Sequence, residues 1–116
     1  FDSWAGALAP EDYERSVLPY TRRVLAAVRG VPRIHFATGN PALLPLLAVD
    51  ECEAVSVDWR LPLDAAWERI GDRAIQGNLD PAVCLAPGGV APRRSPRGPG
   101  GGAPAVWQTT APSVRT

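Results

Sequence analysis

Four short apolar runs punctuate the first eighty residues, and a turn and a helical period follow each of them. Phe1 ends the first run; Val31 to Ala37, Ala54 to Val57 and Ala74 to Gln76 are the others. Neighbouring parallel strands must be joined by a crossover, and a helix is the compact way to make one. Strict alternation of strand and helix therefore predicts an α/β fold with a parallel sheet. Runs this short and this apolar fit strands covered on both faces. A closed barrel of eight such units needs roughly 250 residues. This chain has 116, so the expectation is a partial (β/α)8 barrel of about four βα units.

The helical stretches carry their own signals. In Ala9-Pro10-Glu11-Asp12, proline suits a first helical position and the acids complement the helix dipole. Apolar residues then fall at Tyr13, Val17, Tyr20, Val24 and Val28, with Leu18 and Leu25 beside them. Those steps draw one face of one helix, kinked at Pro19 and closed by Gly30. Further helices are expected over Pro41 to Ala48, over Pro62 to Ile70, and after Asp80-Pro81, where Asp80 caps and Pro81 starts.

Composition changes after Pro87. All twelve acids lie between Asp2 and Asp80, whereas the rest of the chain holds Arg93, Arg94, Arg97 and Arg115. Gly88-Gly89, Pro92, Pro96, Pro99 and Gly100-Gly101-Gly102 break every period there. Two segments are therefore expected: a partial barrel over 1–87 and a disordered Pro/Gly/Arg-rich tail over 88–116. Four arginines without lysine or interleaved aromatics do not make a nucleic-acid-binding stripe, and no nucleic-acid partner is expected. No apolar run has the length of a membrane span, so no membrane partner and a cytoplasmic location are expected. Cys52 and Cys84 are distant in sequence and flanked by apolar residues, and read as buried reduced thiols.

Polar and aromatic groups gather just after each strand: Ser3-Trp4, Thr38-Gly39-Asn40, Asp58-Trp59-Arg60, and Asn78 with Asp80. In parallel α/β folds that carboxyl rim carries the site. Ser3 reads as a hydrogen-bond donor beyond a strand or as a plain turn serine. Asp58 and Asp80 read as helix caps before they read as paired carboxylates. His35, the one histidine, lies between Ile34 and Phe36 and reads as a packed core residue. Gly39 and Gly77 serve tight turns, without a phosphate-binding pattern around them.

The order of blocks goes further. FDSWAG, LPYTRRV, VPRIHFATGN, VSVDWRLPLDAAWERIG and AIQGNLDPAVCLAP follow one another over residues 1 to about 87. This series closely resembles the uroporphyrinogen decarboxylase family. The resemblance implies a (β/α)8 barrel, cytoplasmic and homodimeric, that removes carboxyl groups from the acetate arms of the tetrapyrrole uroporphyrinogen in haem biosynthesis. It implies neither a metal nor an organic cofactor. It gives Ser3 the role of hydrogen-bonding a substrate carboxylate, and implies that Phe1 begins inside the fold. The family's other functional groups have no counterpart here, and the fragment alone is expected to be inactive. Two alternatives accompany this reading. Corrinoid-linked methyltransferases of the wider superfamily bind zinc through His-x-Cys at the strand matching Val31 to Ala37, where this chain has His35-Phe36-Ala37. A non-catalytic interaction module is the other.

Overall fold

The computed structural model describes residues 1–39 and 41–85. The expected boundary at residue 87, the disordered tail and Asn40 lie outside them. Three parallel strands run side by side in chain order: β1 (Ile34–Phe36), β2 (Ala54–Ser56) and β3 (Ala74–Gln76). Their register pairs His35 with Val55 and Val55 with Ile75. The first expected strand survives as a single parallel bridge between Asp2 and Ala37. It is held by the Asp2 N–H on the Phe36 carbonyl at 2.9 Å and the Thr38 N–H on the Asp2 carbonyl at 3.2 Å. Parallel α/β architecture is thus as expected, with β1 and β2 shorter than the apolar runs that encode them and β3 matching its run.

The helices are α1 (Pro10–Ser16), α2 (Leu18–Ala27), α3 (Leu44–Leu47), α4 (Leu63–Ile70) and α5 (Pro81–Cys84). The single helix expected over Tyr13 to Val28 is two. Pro19 has no N–H to donate, and its ring crowds the carbonyl one turn back. The chain therefore restarts at Leu18, with Pro19 in the first turn of α2. The expected apolar face also divides. Tyr13 is fully buried, whereas Tyr20, Val24 and Val28 are exposed.

The core lies between the helices and one face of the sheet. Alternate strand residues point to opposite faces. The cross-strand row His35, Val55 and Ile75 is buried toward Tyr13, Leu43, Leu47, Ala66 and Ile70. At the amino end of the sheet, Glu53 accepts from the backbone N–H of Arg33 at 2.6 Å and from its guanidinium. Those bonds to Arg33 hold the Glu53 carboxyl down at about 2. They clip the starts of β1 and β2 together, at the end of the sheet opposite its carboxyl rim.

Candidate functional site

The rim is built from the loops at the carboxyl ends of the strands. The Asp2 carboxylate accepts the backbone N–H groups of Trp4 and Ala5, each at 2.9 Å. That folds the chain into a short 3-10 turn over Ala5–Ala7. Ser3 is exposed on this turn, and its carbonyl accepts the Thr38 hydroxyl at 3.0 Å. Gly6 then passes over the loop beyond β1 backbone to backbone. A Cβ at Gly6 would stand 2.4 Å from the Thr38 carbonyl oxygen, so only glycine fits.

Asp58, just past β2, ties the next loop in. Its carboxylate accepts the Gly39 N–H at 2.9 Å, the Arg60 N–H at 3.0 Å and the Arg60 Nη1 at 2.6 Å. Burial alone would push this carboxyl up. The hydrogen bonds from the Arg60 and Gly39 backbones and from the Arg60 guanidinium outweigh burial and hold it below the usual carboxylate range. The Arg60 guanidinium carbon lies 4.3 Å from the centroid of the Trp59 ring, so the side chain is both paired and stacked. Beyond β3, Asn78 donates from Nδ2 to the Leu61 carbonyl at 2.6 Å. Gly77 presses on the Val57 carbonyl, which a Cβ would approach to 2.2 Å. Four consecutive loops are thus stitched into one edge.

The sequence-derived candidates separate accordingly. Ser3, Thr38, Gly39, Asp58 and Asn78 come together at this edge. Asp80 caps α5 as expected, accepting the Ala82 N–H at 2.9 Å. Asp58 is not a helix cap: α4 starts at Leu63 behind Pro62, with no side-chain cap. It binds Gly39 instead, a partner on a different strand that local spacing does not reveal. His35 is buried in the core as read. Its Nδ1 lies 2.9 Å from the Leu47 carbonyl, which fixes Nδ1 as the donor and Nε2 as the acceptor facing the Tyr13 hydroxyl at 3.4 Å. Burial lowers the His35 pKa. Both ring nitrogens are engaged on the helix side, away from the rim, and Ala37 stands where a second zinc ligand would be needed. Cys52 is buried and reduced, its thiol against the carbonyls of Leu47 and Val49, and burial raises its pKa. The Cys84 side chain lies outside the described groups. Trp59 and Arg60 were expected at this rim but not as a stacked pair, and Gly6 was not singled out in the sequence. Among the described residues no helix is long and apolar enough to cross a membrane.

Comparison with known proteins agrees with the blocks that build this rim. The profile of the family "Uroporphyrinogen decarboxylase (URO-D)" matches residues 1–94, a little past the expected limit at 87. A uroporphyrinogen decarboxylase of Streptomyces coelicolor is 58% identical over 89 residues, covering 74% of this chain and 25% of that protein. One from Sorangium cellulosum is 49% identical over 98 residues, covering 82% and 28%. One from Carboxydothermus hydrogenoformans is 48% identical over 90 residues, covering 75% and 26%. The chain thus spans about a quarter of the length of the curated relatives it matches. With the match running through every strand and rim loop described, this chain belongs to the uroporphyrinogen decarboxylase family.

Proposed function

We propose that this chain forms part of the substrate-facing rim of a (β/α)8 uroporphyrinogen decarboxylase, cytoplasmic and homodimeric as the family resemblance implies. The substrate is then a tetrapyrrole bearing acetate and propionate arms, and the reaction is loss of the acetate carboxyl groups without a cofactor. In this reading Ser3 donates its hydroxyl hydrogen to an arm carboxylate, which can only accept. One observation carries the reading. The Ser3 carbonyl is pinned by the Thr38 hydroxyl at 3.0 Å, which fixes an exposed serine at the carboxyl end of the sheet. A backbone held in place before substrate arrives leaves only the Ser3 side chain to orient during the reaction.

The test is a chimera in which residues 1–85 replace the matching segment of the Streptomyces coelicolor relative, assayed for coproporphyrinogen formation. Hydrogen bonds to charged groups contribute about 1.5–3 kcal/mol. Ser3→Ala should therefore lower kcat/KM by roughly ten- to a hundredfold and leave the melting temperature unchanged. Unchanged kinetics with a lowered melting temperature would make Ser3 a turn residue.

A further inference from the structure

We propose that Arg60 is a second carboxylate-binding group of this rim, preset by Asp58 and Trp59 to receive an acidic arm of the substrate. The inference rests on the tetrapyrrole reading of the site. Arginine presents five N–H donors in a planar fork that matches a carboxylate edge. Asp58 takes Nη1 at 2.6 Å, and the Trp59 ring lies against the guanidinium carbon at 4.3 Å. Among the described residues neither Nε nor Nη2 of Arg60 has a hydrogen-bond partner. The side chain is 44% exposed, so a ligand can reach it.

The other arginines near the sheet are differently placed. Arg33 uses Nε, Nη1 and Nη2 on Glu53 and the Leu25 carbonyl, at the opposite end of the strands. Arg73 is spent on Asp50 and the Cys52 carbonyl. Of the rim carboxylates, Asp58 is paired with Arg60 itself and accepts three donors, and Asp2 turns Oδ1 to the backbone N–H groups of Trp4 and Ala5. Stacking on Trp59 holds the guanidinium plane before any ligand arrives, so less freedom is lost on binding. A contact path links Arg60 through Asp58 and Gly39 to Thr38 and Ser3, which puts both donors on one edge.

The experiment titrates the isotope-labelled 116-residue chain with uroporphyrin, the oxidised ring with the same acidic arms, and in parallel with its fully methylated ester. Nuclear magnetic resonance follows the Arg60 Nε–H, the Trp59 indole N–H and the Ser3 and Thr38 amides. Saturable shifts at Arg60 and Trp59 with the acid, and none with the ester, are expected. Arg60→Gln should weaken uroporphyrin binding at least tenfold. Arg60→Lys keeps the charge beside Asp58 but loses the fork, and should weaken it about threefold. Shifts at Ser3 and Thr38 with Arg60 and Trp59 silent, and unaltered affinity in both variants, would overturn the role of Arg60 and leave the rim reading standing. Absence of saturable shifts at either pair would overturn both.

Discussion

The backbone N–H of Gly39 donates to Asp58 Oδ2 at 2.9 Å, so the loop leaving β1 hangs on a carboxylate delivered by β2. Replacing Asp58 with alanine removes three hydrogen bonds at once and frees Arg60. Charge-assisted bonds of this kind contribute about 1.5–3 kcal/mol. Asp58→Ala should lower unfolding stability by roughly that amount, read from urea melts, and broaden the Gly39 amide resonance. Because the folded carboxyl is held below its unfolded range, its contribution is present above an unfolded pKa of about 3.9 and is lost as pH falls through the lower folded value. A wild-type advantage over Asp58→Ala that persisted undiminished well below that range would contradict this assignment.

Gly6 tests the backbone crossing. An added methyl would meet the Thr38 carbonyl oxygen at 2.4 Å and the Gly39 backbone at 2.7 Å, neither of which is a flexible side-chain end. Gly6→Ala should cost about 1–3 kcal/mol, the range for overpacking a tight site. Thermal denaturation of the variant beside wild type measures it; an unshifted melting temperature would mean that the two loops separate freely.

His35 sets a pH dependence of opposite origin from a surface histidine. Burial keeps the folded imidazole neutral, while the unfolded chain takes up a proton below about 6.5. The unfolded state then binds more protons, so stability is full above that pH and falls as the medium acidifies, by at most about 1.4 kcal/mol per pH unit. Urea melts at pH 5.5 and 7.5 should show the loss in wild type. His35→Leu should flatten that slope and lower stability at both, because the Leu47 carbonyl and Tyr13 hydroxyl lose their partner.

The isolated chain should form no coproporphyrinogen. It supplies two candidate donors, Ser3 and Arg60, whereas arms spread around a macrocycle need donors from more of a closed rim, and electrostatic positioning is usually the largest catalytic contribution. Assay of the purified chain beside the Streptomyces coelicolor relative checks this. Turnover within about tenfold of the relative, roughly 1.4 kcal/mol in barrier, would show that the donors here suffice.

Much of this architecture was legible because its signals are local. The apolar runs around His35, Val55 and Ile75 mark the strands by composition, although Ile34 at the start of β1 is exposed and not covered as expected, and Asp80-Pro81 marks a helix start by capping chemistry. His35 was readable as core because both its neighbours are apolar. What escaped is what depends on partners distant in sequence. Periodicity drew a face through Tyr20, Val24 and Val28, yet a period specifies a face and not what covers it. Asp58 has the spacing of a cap, and only the register of β1 on β2 brings Gly39 beside it. Gly6 looks like any small residue until the Thr38 backbone is set against it. The blocks FDSWAG and VDWR carried this non-local information, because a family pattern preserves contacts that local propensity does not encode.

The order of pairing in the sheet has a consequence for synthesis. Asp2 bridges to the end of β1, β1 pairs with β2, and β2 with β3, so every strand lies beside the one made just before it. A nascent chain leaving the ribosome amino end first would meet each partner already in place. Each pairing within the described sheet can therefore form as soon as one crossover has been translated, which leaves the outer edge of β3 as the one that a later or foreign strand can still recruit.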